Sequence, residues 1–152
     1  HRLVPPFYLQ SAEGATVSPW DYKEKKNLIL LFCDPRSSDD LGVLATLKGR
    51  YDAIADENAE VLAIASGPEE EIQECLASLE LPFPVLSDSE GQVRELYAVT
   101  GPTMFIADKF GELRMRSEAG ADFETMLTDA MTIIDLAELE CPECGVRTWP
   151  VD

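Results

Sequence analysis

The sequence contains little of what several protein classes require. Its 152 residues include four cysteines, one histidine and 12 basic side chains against 29 acidic ones, giving a net charge of −17. A surface of that sign repels phosphate backbones and anionic lipids, so neither nucleic acid nor a membrane is expected as a partner. No apolar run approaches the roughly 20 residues of a membrane-spanning helix, and the first ten residues lack a signal-peptide pattern. Four cysteines are too few for a disulfide scaffold, which favours a reducing, cytoplasmic setting.

Apolar patterning predicts strands that alternate with helices along most of the chain. Nearly continuous apolar runs at 27–33 and 60–66 are typical of buried strands. Between them one helix is predicted, because apolar residues recur at helical spacing at Leu41, Leu44, Leu47, Tyr51 and Ile54. The predicted later elements are a helix from Pro68, a strand at 83–88, a helix at 89–99, a hairpin at 102–116 and a helix from Phe123. Alternation requires parallel crossovers and the hairpin adds antiparallel strands, so we predict an α/β domain with a mixed sheet between helix layers.

Three stretches resemble a known family. They read PFYLQSAEGATVSPWDYKEKKNLILLF, LELPFPVLSDSEGQVRELYAV and TGPTMFIADKFGEL, and together they span about residues 5–115. They are similar to the redoxin branch of the thioredoxin-like superfamily, the peroxiredoxin-like alkyl hydroperoxide reductase and thiol-specific antioxidant (AhpC/TSA) proteins. The resemblance implies a three-layer α/β/α thioredoxin-like domain, which we place at 1–140, followed by a C-terminal tail at 141–152. It also implies thiol oxidoreductase and antioxidant activity without a required cofactor, and a protein thiol or disulfide as partner.

The same resemblance shows that this chain departs from the family at the reactive position. The family pattern F-x-x-x-x-C-x-x-C falls on Phe32, Ser37 and Asp40, so neither the peroxidatic nor the resolving cysteine is present. Family peroxidases also carry an arginine near the place that Pro102 occupies here. The resemblance further implies a cis bond between Gly101 and Pro102 in the loop that faces the reactive position.

Serine chemistry does not replace the missing thiol. An alcohol needs a neighbouring general base to act as a nucleophile, and the single histidine is His1. The segment Ser37–Ser38–Asp39–Asp40 has the composition of a helix start, where serine caps a free N–H and acids complement the helix dipole. We therefore interpret it as a helix cap and assign no catalytic residue to this site.

The four cysteines differ in what their surroundings indicate. Cys33 ends the first buried strand; it is a candidate redox thiol, but a small buried apolar residue is the favoured interpretation. Cys75 shares a helix face with Ile72 and Leu76, which predicts a core position.

Cys141 and Cys144 lie in the tail motif CPECG, and three hypotheses remain open for them. The spacing matches a zinc knuckle, which supplies two of four ligands, so two tails could share one zinc in a homodimer. The same spacing is that of a redox dithiol, although Glu140 and Glu143 would raise the thiol pKa values. The third hypothesis is a turn with no role. Two functions follow: an oxidoreductase that uses Cys141 and Cys144, or a non-catalytic binding module dimerised through zinc.

Overall fold

The computed structural model describes residues 3–119 and 122–139, and twelve α-helices and β-strands lie in these ranges, together with a short 3₁₀-helix at Pro19–Tyr22. In chain order they are β1 (Leu9–Gln10), β2 (Thr16–Val17), β3 (Asn27–Cys33), α1 (Ser38–Gly49), α2 (Tyr51–Asp56), β4 (Ala59–Ala65), α3 (Glu69–Leu76), β5 (Val85–Ser87), α4 (Gln92–Leu96), β6 (Thr103–Ala107), β7 (Leu113–Glu118) and α5 (Phe123–Glu138). Every predicted strand and helix within these residues is present. The predicted domain boundary at 140/141 lies outside the described residues and stays a prediction.

Five strands form the central sheet, in the order β5-β4-β3-β6-β7. β3 pairs in parallel with β4 from Asn27 opposite Ala59, β4 pairs in parallel with β5, and β6 and β7 add the antiparallel side. All seven residues of β3 are buried, which explains its continuous apolar sequence. The mixed sheet is therefore confirmed. β1 and β2 form a separate small hairpin, which contacts the outer edge of β5 through Ser11 and Leu86.

Alternate residues of β3 face two separate cores. Ile29 and Leu31 pack against α1, α3 and α5 on one face of the sheet. Leu30 and Phe32 pack against α4 and the N-terminal segment on the other face, where Tyr97 is fully buried. Because side chains alternate along a strand, one continuous apolar run supplies both cores. The result is the predicted arrangement of three layers, α/β/α.

The helix that follows β3 differs from its prediction in one respect. The apolar spacing predicts one helix through Ile54, whereas the structure has α1 and α2, which meet at Arg50 with φ −104° and ψ 4°. The Arg50 N–H is shared between the carbonyls of Thr46 and Leu47, so the helix tightens at this point. Leu47 and Ile54 remain fully buried on the same face, which is why the periodicity continues through the break.

The end of α5 is fixed to the start of β3 by Glu138. Its carboxylate accepts hydrogen bonds from Asn27 Nδ2 at 2.7 Å and Asn58 Nδ2 at 3.1 Å, and pairs with Lys109 Nζ at 3.3 Å. Burial acts to raise the pKa of Glu138, but these three donors outweigh it and the pKa is lowered. α5 therefore ends at the opposite end of the sheet from Cys33. Within the described ranges, no helix has the length and apolar character needed to cross a membrane.

Candidate functional site

The site predicted from the sequence is a cavity of about 280 Å³ where β3 and β4 end and α1 begins. Carboxyl ends of parallel strands meet at one edge of a sheet, which is where ligand sites form in this class of fold. The structure brings Cys33, Ser37, Asp40, Gly101 and Pro102 together around this cavity, which we call the α1 cavity. Five of the predicted site residues are therefore neighbours in space. The other two, Cys141 and Cys144, lie outside the described residues.

Ser37 is the N-cap of α1. Its backbone is extended, with φ −85° and ψ 129°, and its side-chain oxygen accepts a hydrogen bond from the Asp40 N–H at 3.4 Å. This geometry fits the cap interpretation of the sequence, since a cap oxygen satisfies one of the free N–H groups of the first helical turn. The hydroxyl at the family's nucleophile position thus accepts a backbone bond.

Asp40, at the family's resolving position, also has a structural role. It is only 5% exposed, and its Oδ2 accepts the backbone N–H of Asp34 at 2.7 Å. This bond ties the start of α1 to the loop that follows β3. The short distance is typical of a charge-assisted hydrogen bond. The Asp40 carboxylate therefore closes the turn between β3 and α1, at the position where the family pattern has its resolving cysteine.

Arg36 covers the rim of the same loop. Its Nε and Nη2 donate to the two carboxylate oxygens of Asp34 at 2.9 and 3.0 Å, and its Nη1 reaches Glu71 of α3 at 3.4 Å. The hydrogen bond with Arg36 is the main reason that the pKa of Asp34 is lowered. The guanidinium lies over Gly67, whose φ of +107° is strained for any residue with a side chain, and an added Cβ would lie 3.1 Å from Arg36 Cζ and require the guanidinium to shift.

Cys33 is poorly suited to thiol chemistry. It is 4% exposed, and burial is the largest of the effects that raise its pKa, followed by the charges of Asp40 and Asp34. Because the thiolate is the reactive form, a raised pKa makes this thiol inert at neutral pH. The favoured interpretation as a buried apolar residue agrees with this geometry. Cys75 differs from its prediction: it is only partly buried on α3, since the core-facing position of that helix is taken by Ile72.

Arg94, which no sequence pattern singled out, lines the α1 cavity from α4. Its Nε lies 3.8 Å from Asp88 Oδ2, and Asp88 itself accepts the N–H groups of Val93 and Arg94 at the start of α4. That buried Nε has no hydrogen-bond partner among the described residues. A cation is therefore present although Pro102 occupies the family's usual arginine position. Asp88 followed by Arg94 in the middle segment was the available signal, but nothing local indicated that α4 reaches this cavity.

The loop at Gly101 and Pro102 corrects one prediction. Among the described residues every peptide bond is trans, including the one before Pro102. The expectation of a cis bond came from the family alone, whereas trans is the favoured isomer of most X–Pro bonds by about 0.5–1 kcal/mol. The loop is held by Thr103 Oγ1, which donates to the Gly101 carbonyl at 3.0 Å, and by the Ala119 N–H, which donates to the Pro102 carbonyl at 2.8 Å.

A wider groove of about 650 Å³ continues from the α1 cavity along the starts of α1 and α5. Ser37, Asp40 and Pro102 line both spaces. The groove walls add Asp39 and Glu124, and the floor includes apolar side chains such as Phe123. The site is thus accessible but strongly acidic, a field that opposes formation of any thiolate or other anion.

The described part of the chain ends at the opposite end of the molecule from Cys33. Glu138 contacts Asn27, and Asn27 and Cys33 are the two ends of a strand about 20 Å long. Within residues 3–119 and 122–139, no three acidic, histidine or cysteine side chains converge on a metal position.

Comparison with solved structures defines the class of this fold. Peroxidoxin BcpB from Mycobacterium tuberculosis aligns with a TM-score of 0.80 at 15% identity, covering 89% of this chain and 95% of that one. The thioredoxin domain of a thiol-disulfide oxidoreductase from Bacteroides vulgatus gives 0.72 at 18%, covering 84% and 94%. The exposed lipoprotein thioredoxin Etrx1 of Streptococcus pneumoniae gives 0.67 at 24%, covering 84% and 99%. The fold is therefore thioredoxin-like.

The family follows from the sequence match. The AhpC/TSA family model matches residues 1–116, so the chain belongs to the AhpC/TSA family. No curated protein sequence gives a significant match. The family assignment confirms the resemblance found in the sequence. Thiol–disulfide chemistry is therefore general to the family. Whether the α1 cavity can support this chemistry depends on the residues present there.

Proposed function

We propose that this protein is a redoxin-family thiol oxidoreductase whose α1 cavity binds partners without reacting, and whose thiol–disulfide exchange is carried by Cys141 and Cys144. The observation that supports this proposal is that the residues at both family cysteine positions make hydrogen bonds that stabilise the fold. Ser37 caps α1, and Asp40 binds the Asp34 N–H. Since Cys33 is buried with a raised pKa, the cavity contains no thiol suited to attack on a peroxide.

The antioxidant activity implied by the family is then a property of the tail. A C-x-x-C pair can cycle between dithiol and disulfide, and a protein thiol or disulfide is the expected exchange partner. The cavity keeps Arg94 and a partly open groove, both of which suit binding of a polar partner segment. The cytoplasmic setting stays a prediction from the sequence.

Mass spectrometry of the four cysteines tests the proposal directly. The reduced protein is treated with one equivalent of hydrogen peroxide, alkylated and digested, and the experiment is repeated with Cys141→Ser and, as a matched control, Cys75→Ser. We expect the loss of two hydrogens in the peptide that contains Cys141 and Cys144, reversed by dithiothreitol and absent only in Cys141→Ser. Rapid sulfenic acid formation at Cys33 would contradict the proposal, and so would a tail pair that stays reduced.

A second candidate function has its own support at the same end of the molecule. Leu136, on the last turn of α5, and Leu139, the C-cap of that helix, are 59% and 76% exposed and shortly precede the CPECG motif in the sequence. Two such tails could share a zinc ion with four thiolate ligands and cover these leucines in a homodimer. This binding-module hypothesis predicts about half an equivalent of zinc per chain and a dimer that dissociates with chelator. Metal analysis combined with light scattering measures both, and a metal-free monomer would eliminate the hypothesis.

A further inference from the structure

A second cavity, of about 250 Å³, lies between α3 and the edge strand β5, and the turn between β1 and β2 closes one end of it. We call it the α3–β5 groove. It shares no residue with the α1 cavity or with the acidic groove beside it. What binds there is therefore independent of the function proposed above. The residues that matter for binding form an apolar floor and an acidic mouth.

The floor is preformed and apolar. Ile72 and Leu76 are one turn apart on α3 and face the space together with Leu81, Phe83 and Val85. Ile72 and Phe83 are each only 4% exposed, and the Phe83 ring is held by the Tyr51 ring with centroids 5.9 Å apart. Leu76, Leu81 and Val85 are only partly buried, so apolar surface remains open to an incoming group.

The mouth of the groove is acidic. Glu13 from the β1–β2 turn and Glu69 from the first turn of α3 line it, and both are exposed. No lysine or arginine lines the groove in the part of the chain that the structure describes. Arg36, a basic side chain that reaches α3 at Glu71, is paired with Asp34 and Glu71. Within the described residues, no cation therefore lines the groove beside these carboxylates, which favour a basic partner.

The volume indicates how much of a partner enters. Sites for whole small-molecule ligands usually measure about 300–1,000 Å³, whereas this groove is somewhat smaller and holds one large apolar side chain. Aromatic anchors in such pockets commonly supply most of the binding free energy of an interface. We propose that the α3–β5 groove binds a basic segment of a partner protein, which inserts one large apolar side chain against Leu76 and Phe83 and places lysine or arginine beside Glu13 and Glu69.

Two peptides of opposite charge test this proposal on the full-length protein. We use acetylated, amidated Gly-Lys-Trp-Lys-Gly and Gly-Glu-Trp-Glu-Gly in NMR titrations of ¹⁵N-labelled protein at low salt. The lysine peptide should shift the amides of Leu76, Phe83 and Val85 with saturation. It should bind at least tenfold more tightly than the glutamate peptide and weaken as salt is added. Equal affinity for both peptides, or no shift at these residues at millimolar peptide, would overturn the proposal.

Matched variants locate the binding. Ala77 lines the groove and is exposed, while the neighbouring Ser78 is exposed and does not line it. Ala77→Phe should therefore fill the groove and reduce binding at least tenfold, whereas Ser78→Phe should leave it unchanged. The double variant Glu13→Gln, Glu69→Gln should remove the charge preference without filling the floor, and it provides an answer even if Ala77→Phe does not fold. Unchanged charge preference in the double variant would refute the role assigned to the mouth.

Discussion

Replacement of Asp40 by alanine tests the central argument, that the family's resolving position now serves structure. Asp40 is 5% exposed and its carboxylate accepts the Asp34 N–H at 2.7 Å. Asp40→Ala removes this acceptor and leaves the Asp34 N–H, which lies in a partly buried loop, without its hydrogen-bond partner. Asp40→Asn keeps an acceptor oxygen of similar size but loses the charge. Asp39→Ala provides the control, because Asp39 lies in the same helical turn and is exposed.

The magnitudes separate the three variants. A hydrogen bond to a charged group contributes about 1.5–3 kcal/mol, and a neutral one about 0.5–1.5 kcal/mol. Asp40→Ala should therefore lower the free energy of unfolding by about 2–3 kcal/mol, and Asp40→Asn by about half as much. Asp39→Ala loses only an exposed charge at a helix start, worth about 0.3–1 kcal/mol. For a domain of this length each kcal/mol moves Tm by about 2–4 °C, so Asp40→Ala should lower it by roughly 4–12 °C.

Thermal and urea unfolding followed by circular dichroism measure these differences. The expected order of stability is wild type, then Asp39→Ala, then Asp40→Asn, then Asp40→Ala. If Asp40→Ala were as stable as Asp39→Ala, the contact with Asp34 would contribute nothing. The position would then be free to carry another role, and the reasoning that separates structure from chemistry at this cavity would be wrong.

Three further predictions concern the loop, the buried thiol and the end of α5. Gly67→Ala should lower the free energy of unfolding by about 1–3 kcal/mol, because a φ of +107° is strained for alanine and the guanidinium above it would have to shift. The control Gly42→Ala, whose Cβ meets open space, should not destabilise the protein. Equal urea midpoints for the two variants would contradict this. Iodoacetamide at pH 8 should alkylate Cys75 at least tenfold faster than Cys33, whose pKa is raised by burial and nearby carboxylates; peptide mass spectrometry measures both rates, and equal rates would refute it. Burial alone would raise the pKa of Glu138, but its three donors lower it, so its stabilisation is complete above the ordinary carboxyl pKa of about 4.3 and is lost as the pH falls through the lower folded-state pKa. Glu138→Gln should therefore destabilise the protein more at pH 7 than at pH 3, and the same loss at both pH values would disprove it.

The two proposed binding regions differ in what they could recognise. The α1 cavity contains Arg94 among acids and hydroxyl groups, so it combines donors and acceptors. The α3–β5 groove has an apolar floor and no cation in its described lining. Loss of binding in Ala77→Phe with unchanged tail oxidation would separate the groove from the redox function.

Local sequence patterns determined the order of the elements. The seven buried residues of β3 appear as an apolar run because both faces of a central strand are covered. The cap role of Ser37 followed from residue type and position alone, since an N-cap bond closes within one helical turn. The absence of both family cysteines is likewise a property of the sequence, and needed only the correct register from Phe32.

Tertiary packing decided everything that depends on residues distant in the chain. Arg94 lines the α1 cavity from α4, a helix that packs on the opposite face of the sheet from α1. No local sequence pattern indicates that residues of these two helices meet at one cavity. The break at Arg50 was hidden because the apolar face continues through it. Periodicity reports which face of an element is buried, whereas the partner of each side chain is set only when distant elements pack together.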